Sequence, residues 1–504
     1  MRRHGIETRN RLGWVSVADL IQPVSELFDR AIGTAKTPDV RTRLVAARDR
    51  LHGPLRLAIA GKVKAGKSTL LNAIVGEELA PTDAGECTKI VTWYQLGHSR
   101  QVVVHPLQGE PVMRPWTRED GALEVDLGTL SAVDVDHIEV SWPTNRLHDL
   151  TILDTPGIAS ISADISARTH RVLSADDGRV PVADAVLYLM RHTHASDVRF
   201  LESFHDDELA QGTPMNSVGV LSRADEIGSC RLDALQVADR IAQRYEADPR
   251  LRRLCPIIIP VDGLLAGAST TLREAEYAML ARVARAPAAE AEQLLLTVDR
   301  FARRPTHVAL TELEREHLLE RLGLFGVRLS VELIRTGVAT TGGELAGELA
   351  ERSGLNRLRL VVLRQFEERS RVLKARSALA FLAEVLRTGG CTNSRTLQSA
   401  AEQLSASSHE FEEIRLLGAL RSGGIELRPP ERMVELDQLL GGSGHDPASR
   451  LGLDEGATSD EVRIAALEAL SRWHRLSEHP LTGRSGQVAA RTATRTLEGI
   501  IALL

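Results

Sequence analysis

Eight residues constrain this chain of 504 more than any others. Gly61-Lys62-Val63-Lys64-Ala65-Gly66-Lys67-Ser68 matches G-x-x-x-x-G-K-S, and its flanks make the match specific. The run before it, LRLAIAG, is short and almost wholly apolar, as a buried parallel strand is. The run after it, STLLNAIVG, repeats apolar residues at helical spacing. Strand, glycine loop and helix is the order that wraps a polyphosphate. Glycines let the backbone turn its N–H groups inward, and the helix N-terminus adds its positive end. In that arrangement Lys67 reaches the outer phosphates and the Ser68 hydroxyl takes a Mg²⁺ position, so Gly61 through Thr69 are candidate nucleotide-binding residues. Composition sharpens this. Lysine occurs only at positions 36, 62, 64, 67, 89 and 374, arginine supplying the rest of the 62 basic residues, yet three of those lysines sit in this loop.

The loop predicts an α/β domain, and the chain around it agrees. QVVVHP, HIEVSW, LTILD, ADAVLYLM, SVGVL and PIIIPV read as strands, and helical stretches such as SDVRFLESFHDDELA separate several of them. After about residue 264 the strand signals stop. Long Ala-, Leu-, Arg- and Glu-rich runs follow, among them EREHLLERLGLFGVRLSVELIRTG and a final pair of helices, with GGSGHDP near residue 441 reading as a loop or hinge. Before the loop, residues 15 to 52 read as two helices, the second started by TPDV. The expected fold is an α/β P-loop domain, its sheet mainly parallel with helices on both faces, plus a helical bundle.

Three further elements specify the ligand. Asp154-Thr155-Pro156-Gly157 ends the strand LTILD, where the carboxylate can hold Mg²⁺ through water and the Gly157 N–H can sense the γ-phosphate. Between it and the phosphate loop lies PTDAGECTK. Thr88 is the candidate switch threonine completing the Mg²⁺ shell, Thr82 is its rival, and Cys87 is incidental. The strand SVGVL runs into Ser222-Arg223-Ala224-Asp225, a variant of [NT]KxD. A carboxylate there accepts both the N1–H and N2–H of guanine, a pair that adenine does not offer. Arg223 can lay its stem and flat guanidinium over the purine. Val261-Asp262-Gly263, after PIIIPV, is expected to offer backbone N–H groups to guanine O6.

These motifs, with the long helices behind them, resemble the bacterial dynamin-like proteins, and within them the isoniazid-inducible, IniC-type proteins of mycobacteria. The likeness rests on LRLAIAGKVKAGKSTLLNAIVGEELAPTDAGECTKIVTW, LDTPG, VGVLSRADEIG and PVDGLLA, then on LLERLGLFGVRLS, ERSGLNRLR and RSRVLKARSAL. It implies a GTPase head, GTP-dependent pairing of heads, work on membranes and a stalk built from both sides of the head. The implied division is a neck arm at 1–52, a GTPase domain at 53–365 and a bundle at 366–504. A part in the response to cell-wall drugs also follows from the resemblance alone. The chain departs from the dynamin pattern in three places. Val63 and Lys64 stand where eukaryotic dynamins carry glutamine and serine, Ser160 stands where they use a catalytic lysine, and no lipid-binding domain or clear apolar paddle follows. Guanylate-binding proteins place an arginine at the Lys64 position as an internal finger, so Lys64 joins Lys67, Thr88 and Gly157 as a catalytic candidate.

Bulk properties exclude other classes. The net charge of -6 is spread along the chain without a basic stretch, which argues against nucleic acid and against a polybasic anchor. Four cysteines without a CxxC pair fit no zinc motif and suit a reducing cytosol. The N-terminus has no apolar run behind its basic residues, and no uninterrupted stretch of about 18 apolar residues occurs. The expectation is therefore a GTP/GDP- and Mg²⁺-dependent GTPase, cytoplasmic and peripheral at the inner face of the plasma membrane. It is expected to pair as a homodimer through its heads, with a longer dynamin-like relative, or both. The rivals are a nucleotide-gated scaffold that hydrolyses slowly, and an assembly or translation-type GTPase.

Overall fold

The computed structural model describes residues 20–80, 90–119, 122–156, 183–191, 198, 201, 215–454 and 456–504. Strand β1, Leu55–Gly61, is apolar at nearly every position and lies near the middle of a nine-stranded sheet. The other strands are β2 (Val91–Leu96), β3 (Gln101–Pro106), β4 (Val112–Met113), β7 (Val135–Trp142), β8 (Leu150–Asp154), β9 (Ala185–Met190), β10 (Ser217–Ser222) and β11 (Ile258–Val261). A separate hairpin joins β5 (Trp116–Glu119) to β6 (Ala122–Val125). The order is β11-β10-β9-β1-β8-β2-β7-β3-β4. β1, β8, β9, β10 and β11 pair in parallel, whereas β2 runs antiparallel to β8 and β3 antiparallel to β7. The sheet is thus mainly parallel, as expected. β2, β4 and the β5–β6 hairpin are additions to the strands read from sequence.

Helices cover both faces. On one, the helix Lys67–Val75 packs Leu70, Leu71 and Ile74 against Leu57, Ile59 and Ile152, joined by the helix Leu355–Val362. On the other, the helix Ala234–Ala247 sets Ala238 and Ala242 against Ala58, Ala60 and Leu221. Small residues on both sides permit that close contact.

The helices after β11 form three further cores. One joins the segment from Gly263 to Arg352 around Leu280, Phe301, Phe325 and Leu345. Its longest helix, Glu312–Arg335, starts with a Thr311–Glu314 capping box but is broken at Gly323, where φ is 64° and ψ 173°. The periodic run around it therefore does not make one straight helix. The second core wraps the N-terminal helices Ile21–Gly33 and Pro38–Arg50 around the helix Ser370–Arg387, Phe28 against Phe381 being at its centre. Pro23 is tolerated because it lies in the first helical turn, whose N–H groups need no partner in the helix. The expected start at TPDV holds, with Thr37 capping Val40 N–H and Pro38 at the first position. The third core is closed by the antiparallel helices Ser459–Glu478 and Arg484–Leu503 around Trp473 and Leu497. The helical part is thus built from both ends of the chain. Within the described residues, no helix is long and apolar enough to cross a membrane.

GGSGHDP is a pinned loop. Arg369, 1% exposed, donates to His445 Nε2 at 2.9 Å, Gln365 Oε1 at 2.8 Å and Gly441 O at 2.6 Å. Arg421 adds contacts to Asp437 at 2.7 Å and Gly442 O at 3.4 Å.

Candidate functional site

The parallel register brings the motifs together at one edge. Ile59 lies beside Asp154 across β1 and β8, and Ser222 beside Val261 across β10 and β11. Loops leaving neighbouring parallel strands at their C-terminal ends line one crevice, the usual ligand position in such sheets.

At the phosphate end, Ala65 N–H bonds back to Lys62 O at 3.1 Å, closing the loop into a turn. Lys64 sits at its crest, exposed, with φ of 61°. A side chain other than glycine in that left-handed region costs about 1–2 kcal/mol, so the loop carries strain at this lysine. Val63 is half exposed beside it. Lys67 Nζ donates to Gly61 O at 3.4 Å and Lys62 O at 3.3 Å, bridging the loop's mouth. Burial lowers its pKa, and Asp154 works in the opposite direction. Ser68 Oγ donates to Asp154 Oδ2 at 3.5 Å. The other oxygen, Asp154 Oδ1, is shut off from solvent and makes no hydrogen bond. Burial pushes this carboxyl up to about 6, against the pull of Lys67 and Ser68. A hydroxyl and a solvent-excluded, unpaired carboxylate oxygen are an oxygen donor set suited to Mg²⁺. Thr155 is held by its hydroxyl bond to Ile59 O at 2.9 Å and serves the strand end.

At the base end, a single hollow runs from Ala65, Gly66 and Thr69 to Ser222, Arg223 and Asp225, and continues along Val261, Gly263 and Leu264. Ser222 Oγ donates to Met190 O at 3.4 Å, tying the motif to β9. Arg223 takes a left-handed conformation, φ 53°, and pairs with Glu226 at 2.6 Å, which Arg191 also reaches at 3.0 Å. Burial, then Glu226, raises the Asp225 pKa, and burial, then Asp225, raises that of Asp262 well above its ordinary value. Asp262 caps the helix Gly263–Thr271 by accepting from Leu265 N–H at 3.0 Å. Its own N–H donates to Ser353 O at 3.0 Å. Within Val261-Asp262-Gly263, the Asp262 amide is therefore engaged. Gly263, at the first helical position where the helix itself supplies no carbonyl, lines the hollow with Val261 and Leu264.

Two supports are not legible in the sequence. Gly323 breaks its helix beside Asp225, where a Cβ would sit 4.0 Å from Asp225 Oδ2 and 3.3 Å from Leu264. Gly354 presses on β11, where a Cβ would stand 2.2 Å from Pro260 O, and its neighbour Ser353 holds Asp262. Both lie in LLERLGLFG and ERSGLNRLR, the stretches on which the family likeness was noted. A third support is Asn72, whose Oδ1 accepts from Leu79 N–H at 2.9 Å and Ala80 N–H at 2.8 Å, fixing the chain where it leaves for Thr88. Thr82, Cys87, Thr88, Gly157 and Ser160 lie outside the described residues.

Similarity to known proteins gives the family. A family model described as the Dynamin family matches residues 57–203. The isoniazid-induced protein IniC of Mycobacterium tuberculosis is 41% identical over 464 residues, covering 92% of this chain and 93% of that protein. The isoniazid-induced protein IniA of the same organism is 31% identical over 182 residues, 32% of this chain and 26% of IniA. A bacterial dynamin-like protein of Nostoc punctiforme is 25% identical over 230 residues, 43% of this chain and 31% of that protein. With that identity to IniC along nearly the full length of both proteins, the chain belongs to the dynamin family, in its IniC-type group.

Proposed function

We propose that this chain binds GTP across the hollow and hydrolyses it to GDP and phosphate. One observation carries the reading: a single hollow is lined at one end by the phosphate loop and at the other by Asp225. In this reading Asp225 accepts the guanine N1–H and N2–H, Arg223 covers the ring, and Gly263 donates to O6. Lys67 exchanges its two carbonyl bonds for phosphate oxygens. Water attacks the γ-phosphate in line, and charge developing on the bridge falls near Lys67 and Lys64. Ser68 and Asp154 would hold Mg²⁺, with Thr88 completing the shell, and the ion when bound neutralises charge on the β- and γ-phosphates. Gly157 is the proposed γ-phosphate sensor.

Lys64 is the proposed internal finger. An arginine at the bridge is worth about 10³–10⁵ in rate in comparable enzymes. Retention of a strained lysine at the loop's crest, in a chain that otherwise writes arginine, supports a role for its ammonium. Phosphate release with GTP and Mg²⁺ tests the whole reading. The unmutated chain should turn over, and Lys64→Ala should slow it far more than Lys62→Ala. Equal rates for the two variants, or strong dependence on potassium or sodium, would remove the finger. No release from the unmutated chain would remove hydrolysis.

We further take 53–365 as the head and 1–52 with 366–504 as neck and bundle, working at the cytoplasmic face of the plasma membrane. Family membership supports membrane work. The turn between the two long C-terminal helices exposes one apolar side chain, Leu481 at 89%, a small anchor that suits weak or indirect attachment. Assembly through paired heads, or with a longer relative, would supply the rest. Flotation with anionic liposomes, with and without GTP, separates this from a scaffold that ignores lipid.

A further inference from the structure

A second site lies on the sheet away from the nucleotide hollow. Side chains alternate along a strand, so in β7 His137 and Glu139 point to one face while Ile138 and Val140 join the core under the helix Lys67–Val75. β3 runs antiparallel beside it with His105 directly opposite His137. Two imidazoles and a carboxylate therefore meet on the face opposite that helix. One nitrogen of each ring and one oxygen of Glu139 lie within 4.8 Å of one another. His105 Nε2 is 3.5 Å from Glu139 Oε2, near the edge of about 3.3 Å that ligands take around a tetrahedral zinc with bonds of about 2.0 Å.

The surroundings are those of a ligand set. His105 Nε2 is closed off from solvent and makes no well-formed hydrogen bond, its nearest acceptor being Glu139 Oε2 at 3.5 Å, a long contact that an ion could bridge with shorter bonds to both. His137 Nδ1 lies 2.9 Å from Asp136 Oδ2, so the proton sits there and the lone pair on Nε2. A carboxylate behind the ring is the usual partner of a metal-bound histidine. Gln95 Nε2 donates to Glu139 Oε1 and steadies that carboxylate from the other side. The side chains of His105, His137 and Glu139 are 26%, 14% and 27% exposed, which leaves an approach from solvent. The rings are stacked, with centroids 4.1 Å apart, and Trp93 stacks on His137 at the same spacing. Seating an ion requires one imidazole to turn about its Cβ–Cγ bond, and Trp93 would register the movement.

We propose that His105, His137 and Glu139 bind one divalent transition-metal ion of the zinc class, with water in the fourth position, clamping β3 to β7. Nitrogen and carboxylate ligands in this ratio favour zinc over magnesium or calcium, which prefer all-oxygen sets. The site is independent of the nucleotide reading.

The test uses the full chain, stripped with a chelator and free of nucleotide, titrated with zinc against a chromophoric competitor while tryptophan fluorescence is followed. Asp154→Asn and Cys230→Ser serve as controls for other cation sites. One zinc per chain, a fluorescence change lost in Trp93→Phe, and affinity lowered by at least about 10–100-fold in both His105→Gln and Glu139→Gln are expected. Circular dichroism shows whether each variant is folded, and zinc should raise the melting temperature of the unmutated chain but not of Glu139→Gln. Binding weaker than about 0.1 mM, or affinity that a folded Glu139→Gln leaves unchanged, would overturn the proposal.

Discussion

Asp154 and Glu413 are both carboxylates withdrawn from water, and they behave in opposite ways. At the nucleotide site, Asp154 has one oxygen without a hydrogen bond, and burial pushes it up to about 6. At the bundle junction, burial of Glu413 is outweighed by Arg450 and His409, which hold it far below the usual carboxylate range. Arg450 contacts it at 2.8 and 3.3 Å, and Thr496 Oγ1 donates at 2.7 Å. The neighbouring Arg369, pushed down to about 9 by burial and by Arg421, spreads its donors over His445, Gln365 and Gly441. We read the unfinished buried charge at Asp154 as a place prepared for a ligand, and the finished one at Glu413 as architecture.

The largest effect should come from undoing the finished site. Glu413→Ala leaves Arg450 buried beside His445 with no counter-charge, and should destabilise the chain by about 3–5 kcal/mol in denaturant melts. Nucleotide affinity of the folded fraction should not change. Lys67→Ala does the reverse. It removes the loop's central charge and should cut GTP turnover by about 10²–10³-fold, read by phosphate release, with little change in melting temperature. If both variants lose stability and turnover together, the contrast between the two regions fails.

The two sites were unequally legible. The phosphate loop, Asp154 and Asp225 are legible as candidates because polyphosphate and guanine chemistry demand fixed residue types at strand ends. Gly323 did not, since helical periodicity continues on both sides of it and only its contact with Leu264 beside Asp225 requires the break. β2 is not legible because VTWYQL mixes apolar and polar residues without clear alternation, and its antiparallel pairing with β8 is set by tertiary contact. β5 and β6 are four residues each, too short for a pattern. The Glu413 network joins residues far apart in sequence, from His409 to Thr496.

Smaller effects sharpen the comparison by pH. Without nucleotide, burial pushes the Asp154 carboxyl up to about 6 from an ordinary 3.8, so between these values the folded chain holds the extra proton. Its contribution is fully present below the lower value and is lost as pH rises through 6, a change of about 3 kcal/mol at most. Thermal melts of the nucleotide-free chain, minus those of Asp154→Asn, should show stability falling as pH rises across this window. Magnesium needs the ionised form, so metal-dependent GTP binding should strengthen over the same range. The smallest effect belongs to the base end. Asp225→Asn should weaken GTP by about 1–3 kcal/mol and move preference toward xanthosine nucleotides, seen in competition titrations.

The proposed role of the hollow is to hold a guanine nucleotide between the phosphate loop and Asp225. Its most direct test is displacement of a fluorescent GTP analogue from the full chain by unlabelled GTP, GDP and ATP in magnesium. GTP and GDP should displace the probe, ATP should do so at least about tenfold less well, and Asp225→Asn should narrow that gap. Equal displacement by ATP, or a probe that does not bind at all, would contradict the account.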